Sequence, residues 1–368
     1  MQKLAGNILT PDGWHAGEVS FDARIGQIVA SPASPADNAL DYLIPGFIDL
    51  HVHGGGGRDV MEGGDALRDI TRTHARHGTT SLLATTMTAP AAEIEHAMAG
   101  IQAAVAQRAA GGARVLGTHL EGPYINPGKL GAQPDTARRA ALVEVERLLA
   151  IAPIRVLTMA PEMRGHLAMV RDLVARDIRV QIGHSLGSYA DGVAALEHGA
   201  ISFTHLFNAM TGMHHREPGL AGAALAHAEY AEIIPDLVHV HPGAILAALR
   251  AIPKLYCVSD STAAAGMPDG EYRLGRHQVT KCMGGVRLPD GTLAGSALTL
   301  DDALRNLVSL GLDLADASRR LSAIPAEVLG LTDRGQLTPG AYADIVVLDR
   351  TLRLRAVYIE GERVEVLR

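Results

Sequence analysis

Ile48-Asp-Leu-His-Val-His53 reads as a strand that ends in two histidines. Side chains in a strand alternate between faces with a period of two, so His51 and His53 point to the same side and can share one metal ion. Three further metal-competent side chains stand at the ends of strand-like runs. They are Glu121 in His119-Leu-Glu-Gly-Pro123, His184 in Ile182-Gly-His-Ser185 and His205 in Thr204-His-Leu-Phe-Asn208. Imidazole nitrogen and carboxylate oxygen suit a borderline ion such as zinc, which orients a water and lowers its pKa to roughly 7. With 17 histidines in the chain, one alone means little. Several at strand ends together point to a hydrolytic metal centre.

Apolar strand-like runs alternate with Ala- and Leu-rich helical stretches on either side, the pattern of a parallel α/β fold. Eight runs count as strands: Leu43 to Val52, Thr79 to Thr85, Arg114 to Leu120, Arg155 to Met159, Arg179 to Gly183, Ile201 to His205, Glu232 to Val238 and Lys254 to Ser259. Eight such units predict a closed (β/α)8 barrel of the TIM type, whose active site lies at the C-terminal ends of its strands. His51, His53, Glu121, His184, His205, His239 and Asp260 all fall at such ends.

Both termini read differently. Residues 1–43 are short strands with turns at Pro11-Asp-Gly13 and Ile25-Gly26, then a breaker-rich loop, Ser31-Pro-Ala-Ser-Pro-Ala-Asp37. Strands recur at Ala343-Asp-Ile-Val-Val-Leu-Asp349, Leu352-Arg-Leu-Arg-Ala-Val-Tyr-Ile-Glu360 and Gly361-Glu-Arg-Val-Glu-Val-Leu367. Chain ends often lie close together, so residues 1–43 and 332–368 are expected to form a small β-sandwich domain beside a catalytic barrel of residues 44–331.

A hydrophobic content of 47% and 40 glycines fit an enzyme with many turns. No apolar run approaches the roughly 20 residues of a membrane span, and the start lacks the pattern of a secretory signal, so a cytoplasmic protein is expected. A net charge of −7 without a basic run argues against nucleic acid or an anionic membrane as partner. Cys257 and Cys282 are read as reduced thiols. Gly54 to Gly57 lacks the lysine and hydroxyl residue of a phosphate loop and is read as a turn beside the metal. His214 and His215 match no ligand position. His119 shares the strand face of Glu121, as a neighbour of the metal or as a packed residue.

The motifs Pro45-Gly-Phe-Ile-Asp-Leu-His-Val-His-Gly54, Leu120-Glu-Gly-Pro-Tyr-Ile-Asn126, Gly183-His-Ser185, Thr204-His-Leu-Phe-Asn-Ala-Met210, Arg216-Glu-Pro-Gly219, Val258-Ser-Asp260 and Leu293-Ala-Gly-Ser296 span nearly the whole chain. In this order and spacing the set resembles the amidohydrolase superfamily and, within it, the N-acetylglucosamine-6-phosphate deacetylases. The terminal β domain is also what that superfamily implies. Val156-Leu-Thr-Met-Ala-Pro161 on the fourth strand has no lysine, which argues against the hydantoinase and dihydroorotase pattern with its carboxylated lysine.

The resemblance implies one or two divalent ions per chain, zinc first, with iron, cobalt or manganese as alternatives. Glu121, His184 and His205 bind the principal ion, His51 and His53 a second, and Glu121 bridges the two. Asp260 is the implied acid/base, taking a proton from water and returning it to the sugar amine. A carboxylate beside a metal cation stays ionised near neutral pH, which suits the base step. Arg216 and His239 are implied to hold the substrate phosphate, shared across the interface of a homodimer. Ala132, Gln133, Asn208, Ala209, Leu293, Ala294 and Gly295 match contacts to the sugar.

One position departs from the pattern: Gly131-Ala-Gln133 stands where the family usually has Gly-Ala-His. A glutamine still donates but cannot be cationic. Either the oxyanion contact is weaker or the preferred amino sugar differs. The expected reaction is hydrolysis of N-acetyl-D-glucosamine 6-phosphate to glucosamine 6-phosphate and acetate, in amino-sugar catabolism. The alternatives are the N-acetylgalactosamine 6-phosphate reaction, or another amidohydrolase acting on a non-phosphorylated amide. A catalytically silent metal-binding scaffold is a third reading, against which the intact Asp260 speaks.

Overall fold

The computed structural model describes residues 1–30 and 40–366, so the whole breaker-rich loop, Leu367 and Arg368 lie outside the described residues. Parallel strands run at Phe47–Val52, Thr79–Thr86, Arg114–Glu121, Ile154–Met159, Arg179–Ile182 and Ser202–Phe203, hydrogen-bonded to one another in chain order. Tyr230–Ile233 and Lys254–Cys257 form a further parallel pair. Two sets of backbone bonds complete the ring. Leu206 N donates to Glu232 O at 2.9 Å, joining the sixth strand to the seventh. Past the end of the eighth, Asp260 N donates to His51 O at 3.0 Å and His53 N to Ser261 O at 2.9 Å, beside a parallel bridge between Val52 and Ser261. The result is a TIM-type barrel.

Every residue of Phe47–Val52 and of Thr79–Thr86 is buried, because one face looks into the barrel and the other meets the helices. The helices present apolar stripes to that outer face. Ala66–Arg76 buries Ala66, Leu67, Ile70, Thr71, His74 and Ala75, which recur at helical spacing. Tyr189–Glu197 starts at a capping box in which the Ser188 side chain accepts from Asp191 N. Among the described residues no helix is long and apolar enough to cross a membrane.

The terminal strands assemble into one seven-stranded sheet in the order Glu362–Val364, Leu354–Ile359, Ile345–Leu348, Tyr42–Pro45, Gln2–Thr10, Gly13–Phe21 and Ile25–Ala30. Phe21 and Tyr358 lie four strand spacings apart in this order, about 19 Å in a flat sheet. Their rings are nevertheless 5.2 Å apart, edge to face. The sheet therefore rolls over until its two ends face each other, enclosing Ile8, Val19, Ile25, Leu43 and Ile345. Arg114 of the third barrel strand anchors this layer through paired bonds of 2.9 and 2.8 Å to Glu360.

Three features differ from the sequence expectation. The run from Leu43 to Val52 is two strands: Tyr42–Pro45 pairs with Ile345–Leu348 in the terminal sheet, and Phe47–Val52 with the barrel. The terminal sheet thus extends two residues beyond the expected boundary at 43. Gly46 makes the transfer, since a Cβ there would stand 2.2 Å from the Thr80 side chain. The seventh strand is Tyr230–Ile233 rather than Glu232 to Val238, because Pro235 cannot donate to a ladder and Asp236 folds the next residues into a turn by accepting from Val238 N and His239 N. Finally, a three-stranded antiparallel sheet, Gly270–Leu274, His277–Cys282 and Gly285–Arg287, follows the eighth strand, where sequence reading placed none.

Candidate metal centre and active site

The barrel brings five ligand-bearing residues and Asp260 into one buried cluster. Glu121 stands at its middle. Its Oε1 lies 3.2 Å from His184 Nε2 and 3.2 Å from His205 Nε2, while its Oε2 lies 3.1 Å from His53 Nε2. His184 and His205 are 3.1 Å apart through their Nε2 atoms, as are His51 and His53. Asp260 Oδ1 is 3.4 Å from Nε2 of both His51 and His53. Donor atoms on one tetrahedral ion, at about 2.1 Å from it, are roughly 3.4 Å apart. Three trios have ligand atoms within 4.8 Å of one another: Glu121 with His184 and His205, His51 with His53 and Asp260, and His51 with His119 and Glu232. In the last, both ring nitrogens of His119 are already bonded, to Leu50 O and Thr158 Oγ1, which leaves the first two. The donor set fits divalent metal, which these residues would hold.

Three of these residues hold strained backbone. His184, His205 and Asp260 have φ of 48°, 29° and 49°, in the left-handed region that L-residues avoid. Such conformations cost about 1–3 kcal/mol each and persist where the surroundings over-determine them. All three carry side chains that line one cavity.

Above the cluster opens a cavity of about 200 Å³, lined by His53, Glu121, His184, His205 and Asp260 at its floor. Ala132, Gln133, Asn208, Ala209, His239, Leu293 and Gly295 form its walls, all expected from the sequence, with Leu274 and Thr292 from the inserted sheet and its following loop. Ala294 sits behind that wall, fully buried, with its N–H committed to Val286 O at 3.0 Å. Arg216 is outside the cavity, on an exposed turn in which His214 and Glu217 bond through their backbones. His239 lines the cavity of its own chain and is held there by Asp236 Oδ2 at 2.6 Å.

Comparison with known proteins fits this geometry. The profile of the amidohydrolase family matches residues 42–364. An N-acetylgalactosamine-6-phosphate deacetylase of Escherichia coli O157:H7 is 40% identical over 369 residues, 97% of each chain. An N-acetylglucosamine-6-phosphate deacetylase of Vibrio furnissii is 39% identical, over 91% of this chain and 84% of its own. The crystal structure of the Thermotoga maritima N-acetylglucosamine-6-phosphate deacetylase superposes with a TM-score of 0.92 at 30% identity, covering all of both chains. A variant of the Mycobacterium smegmatis enzyme, in complex with N-acetyl-D-glucosamine-6-phosphate, superposes at 0.90 with 33% identity over 99% of each. The chain belongs to the N-acetylglucosamine-6-phosphate deacetylase family. It is a hydrolase of amide bonds with a divalent-metal site.

In this deacetylase the charges around the cluster suit a bound cation. Burial opposes ionisation of Glu121, but the imidazoles of His51 and His184 outweigh it and hold the carboxyl well below the usual range. Burial likewise disfavours a charged His51, yet Glu121, Asp260 and Glu232 together hold its pKa well above the ordinary histidine value. His184 is raised in the same way, against burial, by Glu121. A divalent ion satisfies these carboxylates while leaving the histidines neutral, as ligands must be.

Two buried carboxylates at this site escaped sequence reading. Glu232 of the seventh strand places Oε2 3.1 Å from His51 Nδ1, and Asp49 accepts from the backbone N–H groups of His51 and Ser259, both at 3.2 Å. Burial pushes the Asp49 carboxyl up to about 7. The available signal was a lone carboxylate within an apolar strand, where it is costly without partners. His119, left open above, is a packed residue whose Nδ1–H donates to Leu50 O at 3.0 Å and whose Nε2 meets Thr158 Oγ1 at 2.8 Å. Burial pushes its pKa down to about 3, so it stays neutral.

Proposed function

We propose that this chain hydrolyses the acetamide of N-acetylglucosamine 6-phosphate to glucosamine 6-phosphate and acetate. The observation that carries the reading is one cavity with the Glu121 cluster and Asp260 on its floor and His239 on its wall. Zinc is the proposed ion, given imidazole and carboxylate donors; iron, cobalt or manganese suit the same set. Two ions are proposed, since the two oxygens of Glu121 face different histidines. An ion held there supplies Lewis acidity, polarising the amide carbonyl and acidifying a water.

Asp260 takes the water's proton as the water oxygen bonds to the carbonyl carbon. The C–N bond then breaks, and Asp260 delivers the proton to the departing amine. The walls of Asn208, Leu293 and Gly295 orient the sugar, and His239 faces the phosphate. Burial opposes a charged His239, but Asp236 raises its pKa and so favours the cationic form an anion needs. In a homodimer, the exposed turn carrying Arg216 is the segment free to reach a neighbour's site, where a guanidinium fork suits phosphate oxygens. Steady-state kinetics test this. The 6-phosphate is expected to be cleaved far better than free N-acetylglucosamine, since each unmade charged contact forfeits about 1.5–3 kcal/mol. Arg216→Ala should narrow the gap; equal rates on both sugars and an indifferent variant would remove the phosphate pocket.

The galacto epimer is the second reading, favoured by the 40% identity to the Escherichia coli enzyme over 97% of both chains. Gln133 does not decide between them. Its Oε1 accepts from Thr88 N at 2.7 Å, which orients its amide nitrogen toward Glu121, to which it donates. It therefore stands at the metal end, where the acetamide must come, rather than at the distant epimeric hydroxyl. Gln133→His is expected to change kcat by on the order of tenfold, the scale of one polar contact to a developing charge, while the gluco/galacto ratio stays within about threefold. A ratio that shifts strongly at constant kcat would reverse that assignment.

A further inference from the structure

We infer that Glu232 is a positioning residue that fixes His51 as a metal ligand and couples the two trios from beneath. The inference rests on the reading of the histidines as ligands. Glu232 is fully buried on the seventh strand, and a buried carboxylate persists only where several donors satisfy it. Its Oε2 has two: His51 Nδ1 at 3.1 Å and the backbone N–H of His205 at 3.2 Å. Its Oε1 accepts from Tyr256 Oη at 3.4 Å.

A carboxylate oxygen can only accept here, so the proton of His51 sits on Nδ1. That choice leaves the lone pair on Nε2, the atom 3.1 Å from His53 Nε2, 3.5 Å from Glu121 Oε1 and 3.4 Å from Asp260 Oδ1. The ring is thus held in the one tautomer that can ligate on the cavity side. His184 is fixed in the same sense by a weaker device, the neutral carbonyl of Lys129 at 2.9 Å from its Nδ1. Among the described residues, His53 and His205 have no such partner on Nδ1. Glu232 is therefore the single carboxylate that orients an imidazole of this centre from behind among the described residues, and the same oxygen braces the strained turn that carries His205 of the other trio.

Glu232→Gln keeps the shape and an oxygen for both N–H groups, removes the charge, and turns an amide NH2 toward Tyr256 Oη, which then accepts where it had donated. Loss of such an outer partner typically weakens metal affinity about 10–100-fold. The affinity of each Zn²⁺ ion, measured by competition with a chromophoric chelator, should fall by that factor for the ion that His51→Ala also removes. The ion of Glu121, His184 and His205 should change by less than about threefold, and the melting temperature of the metal-free protein should not fall. Glu232→Ala, which also strips the His205 N–H of its acceptor, should weaken both ions.

If the wild type binds its ions and Glu232→Gln binds them equally tightly, Glu232 has no positioning role while the metal reading stands. If the wild type binds no ion, or one that His51→Ala leaves untouched, this inference falls with the assignment of His51. Should the variants not fold, ¹⁵N-histidine NMR of the metal-loaded wild type gives the answer directly. His51 is expected to carry its proton on Nδ1; a proton on Nε2 overturns the inference.

Discussion

Asp260→Asn is expected to keep the ion of the Glu121, His184 and His205 trio and to lose about 10²–10⁴-fold in kcat, the range of general acid–base catalysis. Besides Glu121, Asp260 is the one carboxylate on the cavity lining among the described residues. Its backbone is fixed by bonds from Asp260 N to His51 O and from Ser296 N to Asp260 O, so an isosteric amide should occupy the same place. The amide cannot accept the water's proton. Because Asp260 Oδ1 also stands 3.4 Å from His51 and His53, metal content must be read on the same sample. A variant that keeps its first ion and turns over within a few-fold of wild type assigns the proton transfers to another group.

Stripping the ions should have the larger effect. Without them the cavity floor lacks a Lewis acid to polarise the amide carbonyl and acidify the water, and turnover is expected to fall to the uncatalysed background and to return when Zn²⁺ is added back. His51→Ala combined with His53→Ala should separate the two positions. Metal analysis is expected to find one ion fewer per chain, with the Glu121 trio still loaded. Loss of every ion in that double variant would mean that the five ligands hold a single shared position, and undiminished activity after chelation would remove the metal from the chemistry.

The barrel and most of its cluster were legible because the governing rules are local. A period of two puts His51 and His53 on one face, and the ends of eight parallel strands converge wherever the chain closes, so Glu121, His184 and His205 could be grouped across 84 residues of sequence. What the sequence concealed depends on where distant segments meet. Glu232 is 181 residues from His51, and nothing in its own strand names that partner. The division at Gly46 depends on the approach of Thr80, and the left-handed turns at His184, His205 and Asp260 fall on residue types that adopt that conformation more often than most but still in a small minority of cases. Arg216 and His239 carry the same implied role, but only the structure separates them, one on an exposed turn and the other on the cavity wall.

The most direct test follows acetate release by ¹H NMR, with metal-loaded protein given N-acetylglucosamine 6-phosphate, its galacto epimer and free N-acetylglucosamine in parallel, each with and without chelator. The account predicts stoichiometric acetate and glucosamine 6-phosphate from the first substrate, little from the free sugar, and none once the ions are removed. Acetate formed equally from the free sugar, or formed unchanged in the presence of chelator, would contradict it.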